Sequence, residues 1–541
     1  MKLSKLLAVI AALLLILTAC STKPDFLQED PVEILLSDQQ IMVAGEAAAT
    51  DSQSRVYVAN DIVYYESGKD FTYGEGTLQD THSAEEAAAH TVVHIAQPGT
   101  YRISGKLSKG QIAVDLGEDA QDDPNAVVTL ILDGAEITCQ VAPAVIFYRV
   151  YECGDTDEAT KDVDTSTAGA NVIIADGSEN TVKGSYVARI YKPDSVELND
   201  AGTEVKDAKK LHKYDGAFYS KMSMNITGEK QNTGVLNIYA ENEGLDTELH
   251  LTVNGGNINI FSGNDGINTN EDGVSVTTVN GGSLNIRVTG QTGEGDGIDS
   301  NGWLVINGGT VVAAACSDSA DAGIDSDMGI HINGGTVIAS GHMLDRIEDG
   351  GQTYAVFNFA QEQDGTAAVS LKKEDGAALF EHCPQNGYSV LVYSSPALKE
   401  GNYTLWSGEQ QLAGYGGGML GGMGMPGGMM PPEGMEQGMP PEGMEFPNAD
   451  APNGQKPEGM EPPAGEIPNG QMPEGMEPPA GEMPNGQMPE GMEPPQKPGG
   501  QNREEGSPGG MPQWNGAAGE QTTAFVIAEG ANMFSGISPA Q

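Results

Sequence analysis

The chain is short of cysteine, basic residues and aromatic residues, and each shortage excludes a class of protein. Only 5 of its 541 residues are Cys, and those beyond Cys20 lack paired metal-ligand spacing, so neither a zinc site nor a disulfide framework is predicted. The 27 Lys and Arg against 77 Asp and Glu give a net charge of −50. Nucleic acid and anionic lipid surfaces are therefore poor partners, whereas cations, neutral glycans and cation-bridged acidic glycans remain. The 73 Gly residues, with 6% aromatics, favour turn-dense β structure over helical bundles.

The first twenty residues have the pattern of an export signal. Two lysines precede an apolar run from Leu6 to Leu17, which is too short to span a bilayer as a mature helix. The run ends at Leu17-Thr18-Ala19-Cys20, which resembles the bacterial lipobox. We expect residues 1–19 to be a lipoprotein signal peptide and Cys20 to be the lipid-bearing N-terminus. The protein would then be anchored in the membrane and extracytoplasmic, at the bacterial cell surface. An ordinary signal peptide that contains a cysteine is the alternative.

Composition divides the rest of the chain into segments. We expect a tether with irregular or β segments at 20–95, the main β domain at 96–345 with polar insertions at 154–169 and 192–213, a C-terminal β segment at 346–413, a low-complexity insertion at 414–520 and a returning strand at 521–541. The Gly, Met, Pro and Glu of 414–520 bury too little apolar surface to offset the entropy of ordering, so this segment is predicted to be disordered. Residues 521–536 are expected to pair beside 402–413 and cover an open edge.

A repeated Asn-Gly-Gly sequence predicts the fold. Its Asn residues are Asn254, Asn280, Asn307 and Asn333, and this spacing without a helical stretch is typical of a solenoid of short strands. Each repeat contains three strand-length pieces in which apolar and polar residues alternate, so that alternate side chains point inward. We therefore predict an all-β fold, a right-handed parallel β-helix with three sides, followed by a smaller C-terminal β unit. Leucine-rich repeats share the period but require a Leu pattern that is absent.

Stacked repeats would align equivalent residues in columns. The four Asn residues of the turns would form one amide ladder along the stack. A second column would carry inward hydroxyl groups at Ser220, Thr247, Thr269, Ser300 and Ser326.

The third side of each repeat carries outward acidic and amide residues. The candidate metal ligands are Asp246, Asp265, Asn268, Asp296, Asp299, Asp325 and Asp327. Asp and Asn are also ordinary turn residues, so a solvated loop edge is the alternative. Two carboxylates about 5 Å apart repel by about 1 kcal/mol in water and by more at a partly buried surface. Ca²⁺ would reverse this repulsion, because it prefers six to eight oxygen ligands, although no EF-hand motif is present.

Several segments together resemble a known protein family. Gly99–Ile112, Val128–Thr138, Asp215–Lys221 and the Gly-Gly repeats with Asp-Gly-Ile are similar to a bacterial family of carbohydrate-binding β-helix proteins. Its known members look like pectate lyases in shape and bind calcium, cellulose and polygalacturonate. The resemblance covers about residues 98–413, although the two polar insertions depart from it. It implies a polysaccharide ligand and Ca²⁺ as a cofactor, without specifying the sugar.

Three classes of function follow from these observations. A binding protein would use aromatic side chains against sugar, and Tyr219, Tyr239 and Trp303 are the candidates, each of which could equally be packing. A calcium-assisted lyase would need a base, but between Gly234 and Ser340 the only Lys or Arg is Arg287, which is predicted on the second side. A glycosidase would need two carboxylates at a defined separation, which Asp296, Asp299 and Asp325 could supply. No catalytic residue stands out, so a non-catalytic binding protein is predicted, with a structural or adhesion protein as the third class.

Overall fold

The computed structural model describes residues 30–154, 160–416 and 521–541. Across these ranges the fold is all-β, as predicted, and the only helical elements there are α1 (Ala84–Ala88) and a 3₁₀ turn at Glu118–Asp122. No helix in the described ranges is long and apolar enough to cross a membrane. The predicted signal peptide, Cys20 and most of the low-complexity segment lie outside the described residues.

Residues 30–154 contribute nine strands. They are β1 (Val32–Leu36), β2 (Met42–Val43), β3 (Glu46–Ala47), β4 (Val56–Ala59), β5 (Thr91–Ile95), β6 (Gly99–Leu107), β7 (Gly110–Asp115), β8 (Val128–Thr138) and β9 (Val145–Arg149).

Residues 160–341 contribute twenty strands, most of them short. They are β10 (Ala170–Ile174), β11 (Glu179–Gly184), β12 (Val187–Tyr191), β13 (Glu197–Leu198), β14 (Val205–Asp207), β15 (Lys210–Tyr214), β16 (Gly216–Ser220), β17 (Met224–Gly228), β18 (Val235–Ala240), β19 (Glu243–Thr247), β20 (Leu251–Val253), β21 (Asn257–Ser262), β22 (Ile267–Thr269), β23 (Val276–Val279), β24 (Ser283–Val288), β25 (Ile298–Ser300), β26 (Trp303–Ile306), β27 (Thr310–Ala314), β28 (Gly329–Ile332) and β29 (Thr336–Gly341). At the second polar insertion, β12, which precedes it, pairs antiparallel with β15, and β13 pairs antiparallel with β14 within it.

The described residues 342–416 and 521–541 contribute eight strands. They are β30 (Tyr354–Gln363), β31 (Val369–Lys373), β32 (Ala378–His382), β33 (Tyr388–Ser394), β34 (Gly401–Ser407), β35 (Gln410–Gly416), β36 (Phe525–Ile527) and β37 (Ala531–Pro539).

Most strands before β30 join one of three parallel ladders. The first ladder runs through β6, β8, β10, β17, β20, β23, β26 and β28. The second runs through the later parts of β6 and β8 and then β11, β18, β21, β24, β27 and β29. The third runs through β5, β7, β9, β16, β19, β22 and β25. From β16 to β27 each repeat therefore contributes one strand to each ladder, whereas the last repeat adds β28 and β29 to the first two ladders alone.

The ladders enclose their apolar side chains because polarity alternates along every strand. Leu251 and Val253 of the first ladder, Ile258 and Ile260 of the second, and Leu245 of the third all belong to one buried core. Their neighbours in sequence point away from it, as the period of two in a strand requires. The same core extends through the N-terminal strands.

The predicted columns are confirmed by the contacts between repeats. Side-chain amides bond at 2.9 Å from Asn280 to Asn254, from Asn307 to Asn280 and from Asn333 to Asn307, across separations of 26, 27 and 26 residues. The hydroxyl column of Ser220 to Ser326 is buried, and Thr269 Oγ1 lies 3.0 Å from Ser300 Oγ. The turn after each Asn needs Gly, since Gly282 has φ +83° and a Cβ there would lie 2.6 Å from the Gly256 carbonyl oxygen.

The C-terminal strands form a second, mainly antiparallel unit with its own core. β33 pairs antiparallel with both β29 and β30, which connects this unit to the second ladder. The last residues of the chain return to it, because β36 pairs with β34 and β37 pairs with β30 and β35. Phe525 and Phe534 pack there against Phe357, with ring centroids 5.0 to 5.7 Å apart.

Candidate functional site

The third ladder carries an acidic row on the side that faces away from the core. Asp246, Asn268 and Asp299 occupy equivalent positions on β19, β22 and β25. Just before these strands, Asp265 Oδ1 accepts a hydrogen bond from the Asp296 backbone N–H at 2.6 Å, and Asp296 Oδ1 accepts one from the Ala322 N–H at 2.6 Å. Carboxylates of successive repeats are thus linked through backbone donors, and we call this set, with Glu243 and Asp325, the acidic row.

Glu243 is a member of the acidic row that the sequence interpretation missed. It is buried, and its Oε1 accepts a hydrogen bond from Asn268 Nδ2 at 3.1 Å. The sequence does contain a pattern that indicates this residue. Glu243 stands directly before Gly244, just as Asp265 and Asp296 stand directly before Gly266 and Gly297. The third ladder therefore has an acidic residue at the same place in three successive repeats.

Three buried oxygen atoms of the acidic row have no hydrogen-bond partner. They are Glu243 Oε2, Asp246 Oδ2 and Asn268 Oδ1. An unsatisfied buried polar atom costs about 1–3 kcal/mol, and more when it is charged. Hard cations take oxygen ligands of this kind from carboxylates and amides, so the donor set fits Ca²⁺. Among the described residues, however, no three His, Cys, Asp or Glu side chains converge as a metal site, so carbonyl or water oxygens would have to complete the coordination.

Burial makes the acidic row reluctant to ionise. Desolvation, reinforced by neighbouring carboxylates, raises the pKa of Asp265 to about 7, that of Asp296 to about 10 and that of Asp325 to about 7. The same causes raise the pKa of Glu243 and of Asp246 well above the usual carboxyl range. At neutral pH without a cation, several of these groups therefore hold protons. The arrangement can bind either protons or a positive ion.

Asp246 occupies the outward position that the alternation of the strand predicts. Its side chain points away from the core but is fully buried, and a Cβ on Gly216 would lie 2.5 Å from its own Cβ. The second polar insertion ends at this point and brings Lys213 and Asp215 near Asp246. Of the other candidate ligands, Asp265 and Asn268 are also buried, Asp296, Asp299 and Asp325 are partly buried, and Asp327 is exposed.

The three aromatic candidates occupy different surroundings. Tyr219 is buried, and its hydroxyl donates to Glu248 Oε1 at 2.8 Å, so its interpretation as a sugar-stacking residue is wrong. Trp303 is half-buried on the first ladder, with its ring 5.2 Å from that of His331. Tyr239 is 41% exposed, but it stacks on Phe261 at 5.2 Å and carries Lys183 Nζ 5.3 Å from its ring centroid. Lys183 and Phe261 flank it on adjacent strands, so the Tyr239 ring already has a neighbour on each side.

The part of the chain that forms the ladders matches a known family. Residues 89–350 match the family described as carbohydrate-binding domain-containing protein. The match supports a carbohydrate-binding family for this segment, which runs from β5 to β29 and holds every candidate metal and sugar ligand.

The comparisons with curated proteins and with solved structures say less about this chain. No curated protein matches the chain. One solved structure, a polysaccharide lyase-like protein from C. thermocellum determined as a gadolinium derivative, is 18% identical, with 57% of this chain and 90% of that chain covered, at a TM-score of 0.33.

The matched segment also contains two basic residues that bear on the lyase alternative. Arg287 lies on the second ladder, away from the acidic row, and donates from Nε to Asn386 Oδ1 at 2.9 Å. Lys213 lies outside the repeats, yet its charge acts on both Asp246 and Glu248, opposing the rise in pKa that burial causes there. No sequence signal indicated this approach, because Lys213 arrives on the insertion and not on the repeat.

Proposed function

We propose that this protein is a cell-surface lipoprotein that binds polysaccharide without cleaving it, through a calcium-stabilised right-handed parallel β-helix. The observation that carries the proposal is the match of residues 89–350 to a carbohydrate-binding family. The three parallel ladders around one core support the β-helix, since successive repeats add one strand to each. The lipobox at Cys20 supports the anchor.

Calcium would act at the acidic row. Glu243, Asp246 and Asn268 would hold it, because each has an oxygen that is buried and without a partner. When bound, Ca²⁺ would neutralise the carboxylates and could bridge to an acidic sugar. The chain's own side chains fix the position of these oxygens: Asn270 donates to Asp246 and Asn268 donates to Glu243.

Retention on insoluble polysaccharide tests the proposal. The full chain should be retained on cellulose or on pectate gel in calcium, and EDTA should lower its retention on pectate, because a net charge of −50 opposes binding to a polyanion once the bridging cation is removed. Asp246→Asn should weaken this calcium-dependent retention, while the exposed Asp364→Asn should not. Retention on neither polymer in calcium would refute the proposal and favour a structural or adhesion role.

A calcium-assisted polysaccharide lyase is the second candidate, and the position of Lys213 favours it. A lyase needs a base beside the cation-bound uronate, and Lys213 is the basic residue that approaches Asp246 and Glu248. Incubation with pectate and calcium should then release unsaturated products that absorb in the ultraviolet, and Lys213→Met should abolish them. Absence of such products from the wild-type chain would exclude this activity on pectate.

A further inference from the structure

The second ladder presents an outward strip of side chains that is separate from the acidic row. Its outward residues form two columns, Thr181, Asn237, Asn259 and Asn285 in one, and Lys183, Tyr239, Phe261 and Arg287 in the other. All eight side chains are partly or fully exposed. We call these eight residues the basic strip.

The first column of the basic strip is a second amide ladder. Asn259 Nδ2 donates to Asn237 Oδ1 at 2.8 Å, and Asn285 Nδ2 donates to Asn259 Oδ1 at 3.4 Å. A primary amide has two N–H donors and two acceptor lone pairs, so each Asn keeps hydrogen-bonding capacity after its ladder contact. The column therefore offers the same pair of groups at every strand spacing, about 4.8 Å apart. An extended chain of sugar units is a ligand with a comparable repeat.

The second column places a cation at each end of a stacked aromatic pair. Lys183 lies over Tyr239, Tyr239 stacks on Phe261 with an interplanar angle of 9°, and Arg287 is the register partner of Phe261 on the next strand. Because the two rings stack on each other, the two cationic groups are the strongest ligands for an anion on this strip.

Arg287 is held in place by the C-terminal unit. Its Nε donates to Asn386 Oδ1 at 2.9 Å and its Nη1 to Gln385 Oε1 at 3.0 Å. Asn386 is itself fixed, because its Nδ2 donates to the buried carbonyl oxygens of Val288 and Ala315 at 2.6 and 2.7 Å. A guanidinium has five N–H donors, so Arg287 keeps donors for a ligand after these contacts and a longer one to the Gln385 carbonyl. A guanidinium held in this way loses little freedom when it binds a carboxylate.

The charge of the basic strip is opposite to that of the rest of the protein. Its eight positions contain two cations and no carboxylate, in a chain with 27 basic against 77 acidic residues. Three strand spacings separate Lys183 from Arg287, which corresponds to about 14 Å. Two carboxylates on an extended polyuronate chain, a few sugar units apart, can span such a distance.

We propose that the basic strip binds an acidic polysaccharide directly, with Lys183 and Arg287 pairing to its carboxylates and the amides of Asn237, Asn259 and Asn285 bonding to its hydroxyl groups. This inference rests on the proposed polysaccharide-binding function and adds a second mode that needs no bridging cation. The acidic row would bind through calcium, and the basic strip would bind without it.

Binding of the full chain to polygalacturonate in EDTA, at about 0.15 M salt, tests the inference. The wild-type chain should bind polygalacturonate and should bind its fully methyl-esterified form at least about tenfold more weakly, because charge-assisted hydrogen bonds are lost. Lys183→Met should weaken binding to polygalacturonate by about tenfold. Lys372→Met is the matched control, since Lys372 also lies over an aromatic ring, that of Trp406 at 4.7 Å, but in the C-terminal unit, and it should leave binding unchanged.

The possible outcomes separate this inference from the proposed function. Binding that requires calcium and is indifferent to Lys183→Met would overturn the inference and leave the function standing. Equal binding to the esterified polymer would overturn the role of the cations. Binding to no polysaccharide with or without calcium would overturn both. Arg287→Lys is a second variant, which keeps the positive charge but loses the planar guanidinium and its several N–H donors. It should bind polygalacturonate more weakly than the wild-type chain at an unchanged melting temperature.

Discussion

Replacing Asp265 by Asn should stabilise the protein at alkaline pH when calcium is absent. Asp265 is buried, and desolvation raises its pKa to about 7 from an unfolded value near 3.8. A carboxyl whose pKa is raised by folding stabilises the fold below the unfolded pKa, and this contribution is lost as pH rises through the folded pKa. A shift of this size corresponds to at most about 4 kcal/mol, because one pKa unit is worth about 1.4 kcal/mol and neighbouring carboxyls share the effect.

The assay is thermal unfolding of the full chain between pH 4 and pH 8.5, in EDTA and in millimolar calcium. In EDTA, the wild-type melting temperature should fall from about pH 4 to about pH 8, and Asp265→Asn should reduce that fall, since Asn can still accept the Asp296 N–H bond. Calcium should restore the wild-type protein more than the variant. The exposed Asp364→Asn is the control and should give no gain at pH 8. A wild-type melting temperature that does not change with pH in EDTA would refute the reasoning about the acidic row.

Three further predictions concern other parts of the chain. Cys20→Ser should abolish incorporation of a fatty-acid analogue, and persistent labelling would show that the lipobox interpretation is wrong. Asn307→Ala should lower the free energy of unfolding by about 1–2 kcal/mol, because it removes two amide bonds of the exposed ladder, and an unchanged denaturation midpoint would contradict this. Replacing residues 417–520 by a short Gly linker should leave the melting temperature unchanged, since Gly414 already bonds to Thr522, whereas ending the chain at Gly416 should cost more than about 5 kcal/mol by removing buried Phe525 and Phe534. Equal melting temperatures for these two chains would show that the last strands do not stabilise the fold.

The sequence predicted those parts of the structure in which one local pattern repeats. The Asn-Gly-Gly turns fix where each strand ends, and the alternation after them decides which side chains face inward. Equivalent residues then meet by stacking alone, which is why the Asn254–Asn333 amide ladder and the hydroxyl column could be predicted. The acidic row also results from the repeat. Glu243 could have been predicted as a member, because it precedes Gly244 at the equivalent position of its repeat.

What the sequence could not predict depends on segments that leave the repeat. Asp246 has the outward position that alternation predicts, yet it is fully buried, because Gly216 lies against it and Lys213 and Asp215 come near. Tyr219 is buried in the same region and contacts Tyr214, at a centroid distance of 5.2 Å. No periodicity indicates where an insertion packs, so burial of these candidate residues could only be seen in three dimensions.

The two polar surfaces differ in what the repeat supplies and what other segments supply. On the third ladder, the repeat supplies Glu243, Asp265 and Asp296, and the insertion adds Lys213. On the second ladder, the repeat supplies the amide column. The contacts that hold Arg287 come from the C-terminal unit, from Gln385 and Asn386, which lie 98 and 99 positions further along the chain. On both ladders, the repeat provides a regular array of polar side chains that suits a polymeric ligand, and a segment outside the repeat adds a further contact. The variants Lys213→Met and Lys183→Met therefore probe different surfaces. If a glycan binds through calcium alone, its affinity should change with substitutions on the third ladder and not with Lys183→Met.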